Sequence, residues 1–296
     1  MLWIVPALWS SNYIIARVAE GVIAPHMLAS GRWAFALLLM LPFVWRDRTD
    51  IARVLRREWP HALVLGSLGM WICGAFVYIG AQTTSAANIG LIYAAAPVGI
   101  AIASRWLLHE RTTRIQQGAM ALALLGVLVV ICKGDLSSLL KARFTVGDLW
   151  ILVACVAWVA YSVLMQRWPS VLGARQRLAC ITAGGLLVLL PFTVLEAAIQ
   201  PALPWSAQAF GLIVLAGLLP GFLSYQAYAL MLRELGATRS GMVLYLAPVY
   251  GVFTAWWVLG EAPQWFHALG ALLILPSIHL ATRSAPGNAR RVGDVK

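Results

Sequence analysis

The sequence predicts an all-α polytopic membrane protein with ten transmembrane helices, arranged as two inverted five-helix repeats around a central cavity. Three observations predict it. Of 296 residues, 61% are hydrophobic and 11% charged, with a mean hydropathy of +0.81, whereas an ordinary soluble domain carries about 25% charged residues. Such a chain has too little polar surface to cover itself in water. Second, the apolar residues form continuous runs near the ~20 residues that cross hydrocarbon as a helix, without the period-two alternation of a membrane-spanning barrel. Third, the block AAPVGIAIASRWLLHE at 95–110 is echoed 151 positions later by LAPVYGVFTAWWVLGE at 246–261. At that offset Ala96, Pro97, Val98, Trp106, Leu108 and Glu110 meet Ala247, Pro248, Val249, Trp257, Leu259 and Glu261, and Gly90 meets Gly241. Similar composition alone does not keep a proline and a glutamate in register, so the halves read as related.

Taken in order, the runs lie at about 2–19, 26–45, 61–81, 85–107, 114–132, 148–166, 177–199, 207–232, 238–259 and 264–282. The first is apolar from Leu2, with no basic segment or small-residue cleavage site before Trp9, and reads as a retained helix. Charged RDRTDIARVLRRE at 46–58 separates the second run from the third, and QTTS at 82–85 leaves a tight turn before the fourth. The polar segment KGDLSSLLKARFTVGD at 133–148 divides the halves and has room for a short surface helix. These boundaries give a first repeat at 1–135, a linker at 136–147, a second repeat at 148–283 and a cytoplasmic tail at 284–296.

Basic residues set the orientation. With the N-terminus inside, seventeen of the twenty-two fall in inner loops and the tail; Arg17, Lys133, Lys141 and Arg143 fall outside, and Arg32 lies within the second run. Both termini are therefore expected in the cytoplasm. Five spans per half return the chain on the opposite face, so the halves are expected to be antiparallel, an arrangement characteristic of secondary transporters. The net charge of +11 sits between apolar runs without interleaved aromatics, which argues against nucleic acid as a partner.

No catalytic, metal or cofactor site is legible. Cys73, Cys132, Cys155 and Cys180 lie inside apolar runs without metal-ligand spacing and read as packing residues. HERTT at 109–113 lacks the second histidine of a zinc-protease motif, and no serine stands in a GxSxG setting. Arg32 is the one clearly embedded charge, with two readings: a side chain that snorkels to the outer interface, or one that faces a cavity and attracts a substrate carboxylate. Polar and aromatic residues deep in the runs are Asn12, Tyr13, Tyr78, Tyr93, Trp158, Tyr161, Tyr225, Tyr228 and Tyr245. Each needs a hydrogen-bond partner at that depth, and their spread over equivalent helices of both halves favours a shared cavity. Asn12, Tyr78, Tyr93, Trp158, Tyr161, Tyr225, Tyr228 and Tyr245 are the substrate-binding candidates. Pro97 and Pro248, at equivalent places in the fourth and ninth runs, are candidate hinges. Tryptophans near run ends, such as Trp45 and Trp265, suit the headgroup region.

The tandem halves, the opening ALWSSNYIIAR, RWAFALLLMLP in the second run, AYALMLRELGATRSGMVLYLAPVYG and the paired proline–glutamate blocks resemble the EamA branch of the drug/metabolite transporter (DMT) superfamily over residues 1–283. Overall likeness is greatest to YddG-type exporters of aromatic and other amino acids. The resemblance implies a basket of ten helices in the bacterial inner membrane, with the first, third, fourth, sixth, eighth and ninth lining the cavity. It also implies that Glu110 and Glu261 are structural, holding the turns into the fifth and tenth helices. The expected function is export of amino acids and similar small metabolites by alternating access, as facilitated diffusion because no mid-depth carboxylate or histidine is available to carry a proton. The expected partners are an amino-acid substrate and the bilayer, with a monomer plausible. Competing readings are drug or cation efflux and a non-transporting structural or sensory membrane protein.

Overall fold

A computed structural model describes residues 3–135, 137, 144–199, 205–259 and 262–283, and every regular element among them is helical. Chain order begins with α1 (Ile4–Val18) and α2 (Pro25–Val44). Next, α3 (Arg48–Gly66) runs through a π-helical stretch, π1 (Ser67–Phe76), into α4 (Val77–Ala81), a single 34-residue rod. After it come α5 (Ala86–Tyr93), α6 (Ala96–Leu107) and α7 (Arg114–Ile131). The second half holds α8 (Val146–Arg167) and α9 (Ala174–Ile199), then α10 (Ala207–Ala216), which continues through π2 (Gly217–Leu223) into α11 (Ser224–Leu235). It closes with α12 (Ala237–Met242), a 3₁₀ turn (Val243–Leu246), α13 (Ala247–Leu259) and α14 (Trp265–Arg283).

Seven helical rods among the described residues are long and apolar enough to cross a bilayer: Pro25–Val44, Arg48–Ala81, Asn88–Leu107, Arg114–Ile131, Val146–Arg167, Ala174–Ile199 and Ala207–Leu235. Three boundaries shift from the sequence expectation. The third run, expected from residue 61, begins at Arg48 because its charged first turns are helical although not apolar. The fourth run breaks at Ala94–Ala95, and the ninth breaks at the 3₁₀ turn. In each case the proline follows the break and lies in the first turn of the next helix, Pro97 in α6 and Pro248 in α13. That position suits a residue with no N–H to donate.

Polar side chains close the helix starts. Ser85 accepts from Asn88 N–H at 3.1 Å, Ser206 from Ala209 N–H at 3.0 Å, and Thr113 with Gln116 forms a reciprocal capping box on α7. Asp148 accepts from the Thr145 N–H at 2.6 Å and from Asn88 Nδ2 at 3.1 Å, and it also binds Thr84, tying the start of α8 to the turn before α5. At α2 the cap is remote: Glu196 of α9 accepts from the His26 and Met27 amides at 2.9 and 3.2 Å and pairs with His26 Nδ1 at 2.9 Å.

Small residues set how closely the rods pack. A Cβ on Gly66 would stand 2.3 Å from Gly185 N, and one on Gly126 would stand 2.9 Å from Gly270 O, so α3 meets α9 and α7 meets α14 almost backbone to backbone. The larger apolar core gathers α1, α2, π1, α8, α9 and α11, while a second core joins α7 and α14 to α6 and the 3₁₀ turn. All four cysteines are free and buried.

Candidate functional site

Two adjoining groups of side chains occupy the larger core. One is polar and centred on Arg32, which projects from the second turn of α2 and is 3% exposed. Its Nη1 donates to Asn12 Oδ1 of α1 at 3.3 Å and to the Tyr78 hydroxyl of α4 at 3.2 Å, and Nη2 donates to the Pro220 carbonyl of π2 at 2.9 Å. The Tyr78 hydroxyl in turn donates to Asn12 Oδ1 at 2.7 Å. The guanidinium carbon stands 4.6 Å from the centroid of the Trp33 ring. Arg32 thus faces the interior and does not snorkel to the interface.

Among the described residues its charge is met by neutral groups only. The ion pairs found among the described residues are His26–Glu196 and Arg53–Asp50, and neither includes Arg32. Its Nε is buried without a hydrogen-bond partner. A buried cation held only by neutral acceptors carries a desolvation cost that a carboxylate would offset, and the planar fork of a guanidinium matches a carboxylate in shape.

The second group is aromatic. Trp158 and Tyr161 of α8 stack with centroids 5.4 Å apart, Trp158 lies 5.0 Å from Tyr228 and 5.7 Å from Tyr225 of α11, and Trp9 of α1 meets Trp158 edge-on at 5.0 Å. Trp33 joins it edge-on to Tyr225 at 4.8 Å, linking the cluster to Arg32 next along the chain. Two of the buried hydroxyls here have partners: Tyr228 shares a hydrogen bond with Ser162 at 2.9 Å, and Tyr225 donates to the Gly69 carbonyl at 2.8 Å. The Trp158 indole N–H is buried without a partner. An unsatisfied donor beside stacked rings suits a ligand carrying both an apolar ring and an acceptor.

Of the expected binding residues, the structure brings Asn12, Tyr78 and Arg32 into the polar group and Trp158, Tyr161, Tyr225 and Tyr228 into the aromatic one. Tyr93 is half-buried at the edge of the larger core. Tyr245 lies elsewhere, in the second core between α7 and α14, 1% exposed and with its hydroxyl unpartnered. The Tyr13 side chain lies outside the described ones. Sequence reasoning misses Trp9 and Trp33; what marks them is that, unlike the belt tryptophans, they lie deep in their runs and close to Asn12 and Arg32.

Glu110 takes a different place from the one expected. It accepts from Ala237 N–H at 3.4 Å and Thr238 N–H at 3.3 Å, and from the Thr238 hydroxyl at 2.7 Å, so it grips the turn at Gly236 (φ 85°) before α12. The start of α7 is held by its own Thr113 and Gln116 instead. Glu261, its counterpart in the second block, lies outside the described residues.

A small cleft, with room for about a water molecule, borders Tyr78. It is lined by Ala19, Glu20, Ile23, Pro25, Tyr78 and Gln82 among others, so Tyr78 is shared between the cleft and the Arg32 cluster.

Comparison with known proteins agrees in one direction. The EamA-like transporter family matches residues 1–132 and again 145–283. An uncharacterized transporter of Archaeoglobus fulgidus is 22% identical, covering 93% of both chains, and the uncharacterized transporter YyaM of Bacillus subtilis is 26% identical over 92% of this chain and 89% of its own. The S-adenosylmethionine/S-adenosylhomocysteine transporter of Chlamydia trachomatis is 23% identical over 90% of this chain and 84% of its own. One crystal structure of a protein shares the fold with a TM-score of 0.77 at 19% identity, covering 95% of this chain and 94% of that one. A duplicated family match across nearly the whole chain, with described residues whose regular elements are all helical and hold seven membrane-length rods, places the protein in the membrane as a transporter: it belongs to the EamA-like transporter family.

Proposed function

We propose that the protein exports amino acids, aromatic and other neutral ones, and similar small zwitterionic metabolites from cytoplasm to periplasm. In this reading ten helices cross the bacterial inner membrane as two inverted repeats, both termini are cytoplasmic, and the polar and aromatic groups together form the substrate site. The observation that carries it is Arg32, a buried guanidinium with no carboxylate partner among the described residues and with its Nε lacking any hydrogen-bond partner, set beside a cluster of tryptophan and tyrosine rings. The substrate carboxylate binds Arg32 while its side chain inserts among Trp9, Trp158, Tyr225 and Tyr228. Movement is downhill, because the residues that make up the site include no carboxylate or histidine to carry a proton.

Alternating access bends the fourth and ninth helices at the breaks that precede Pro97 and Pro248. Drug or cation efflux fits less well, since the charge within these two groups is positive. A narrower substrate reading is favoured by the relatives named for S-adenosylmethionine and S-adenosylhomocysteine: both molecules carry an amino-acid end for Arg32, and rings attract a sulfonium through their π faces.

The test is flux in proteoliposomes with labelled tryptophan, phenylalanine, threonine and S-adenosylmethionine against a cationic dye, without a pH gradient. Saturable movement of one or more amino-acid-bearing solutes and none of the dye is expected. Movement of the dye alone, or a strict requirement for an imposed pH gradient, contradicts the proposal.

A further inference from the structure

Arg32 does more than lie beside the aromatic cluster; it also holds a backbone carbonyl of a wide helical turn. A π-turn lengthens the hydrogen-bond spacing and leaves carbonyls open to outside donors, and such segments recur where helices bend. This chain has two among its described residues, π1 and π2, and at the offset of 151 that relates the two sequence blocks Gly69 of π1 corresponds to Pro220 of π2. Both carbonyls are taken by side chains from other rods. Tyr225 donates to Gly69 at 2.8 Å, and Arg32 Nη2 donates to Pro220 at 2.9 Å. Their neighbours are occupied too, Met70 by Trp33 Nε1 at 2.9 Å and Leu219 by the Ser224 hydroxyl at 2.8 Å.

Resting on the reading of Arg32 as the carboxylate-binding group, we propose that Arg32 determines which bound compounds move. An anionic group on the substrate displaces the Pro220 carbonyl from the guanidinium and thereby releases π2, which a ligand of the same shape without that group leaves locked. The geometry supports a direct exchange. Nε and Nη2 form the side-on fork of the guanidinium; Nε is vacant and Nη2 is the nitrogen on Pro220. A carboxylate seated on that fork takes the vacant Nε N–H and competes with Pro220 for Nη2, and a guanidinium–carboxylate ion pair outweighs a guanidinium bond to a neutral carbonyl.

Once freed, the Pro220 carbonyl is buried and must find another donor. The nearest amides along the chain are those of Ser224 and Tyr225, and since Ser224 N–H is already given to Gly221 and Leu219, taking it redraws the bonds of π2. Redrawing is felt across the α2 contact, where a Cβ on Gly217 would stand 2.8 Å from the Arg32 carbonyl and Gly221 faces Ala36. It also moves Tyr225, whose hydroxyl caps π1, so release of one π-segment reaches the other.

The experiment is hydrogen exchange at the amides of residues 217–226 in the full chain reconstituted in nanodiscs, with saturating tryptophan or tryptamine, which has the same ring and ammonium but no carboxylate. Losing a charge-assisted bond corresponds to about tenfold faster exchange or more with tryptophan, and tryptamine should leave the rate within about twofold of the free protein. Arg32→Gln should abolish the tryptophan effect while exchange in α7 and α14 stays native, which separates lost coupling from lost folding. Equilibrium dialysis on the same samples distinguishes the two ways of failing. Tryptophan that binds without speeding exchange, or tryptamine that speeds it equally, overturns the coupling alone. If no amino-acid-bearing ligand binds at all, the substrate reading falls and the coupling with it.

Discussion

Arg32 is the residue on which composition and structure bear most directly. Its embedded charge is legible in the sequence, but its direction is not, because a side chain of that length reaches either the interface or the interior from the same turn. What fixes it is the placement of Asn12, Tyr78 and Pro220 around it, partners 20, 46 and 188 positions away, and separations of that kind leave no periodic trace. Glu110 shows the same limit. Its recurrence in the repeat is legible, yet its grip on Ala237 and Thr238 is not, since those residues are 127 and 128 positions distant. Glu110→Gln keeps the shape and loses the charge on three hydrogen bonds. Bonds to a charged acceptor contribute about 1.5–3 kcal/mol each at most, so the variant should show a clearly lower Tm in detergent with unchanged substrate affinity. An unchanged Tm contradicts the structural role assigned here.

At the scale of elements, the apolar runs are easy to read because an unbroken hydrophobic stretch of about 20 residues matches, as a helix, the thickness of the hydrocarbon layer. Their ends and interruptions are harder. Charged helical turns such as Arg48–Glu58 carry no hydropathy signal, and SLGMWICGAF in π1 contains no proline to announce its wider turn. Contacts between elements rest on glycines whose importance depends on what lies opposite. Gly66 and Gly118 look alike in sequence. A Cβ on Gly66 would meet the Gly185 and Ile181 backbone at 2.3 and 2.5 Å, whereas one on Gly118 would meet nothing within 4 Å. Forcing two backbones apart costs about 1–3 kcal/mol or more, and removing a helical glycine in open space gains about 0.5–1 kcal/mol. Gly66→Ala should therefore lower Tm and yield while Gly118→Ala holds or raises both, as thermal unfolding in detergent will show. Equal behaviour of the two contradicts the close approach of α3 and α9.

For the whole molecule, the duplicated family match and the repeated proline–glutamate block describe the same architecture from different directions. Among the described residues, two copies of one helical unit supply two π-segments and two broken helices, and the buried cation Arg32 lies where one π-segment meets α1, α2 and α4. The proposed selectivity thus rests on one asymmetric residue within a duplicated frame. This assignment is tested by equilibrium exchange of labelled tryptophan across proteoliposomes by the wild-type chain, Arg32→Lys and Arg32→Gln side by side. Arg32→Lys retains the charge without the fork, and Arg32→Gln retains neither. Exchange that is robust in the wild type, reduced by roughly tenfold in Arg32→Lys and absent in Arg32→Gln, with all three proteins folded, is the expected result. Full exchange by Arg32→Gln would remove Arg32 from the transport cycle and contradict its proposed role as the carboxylate-binding group.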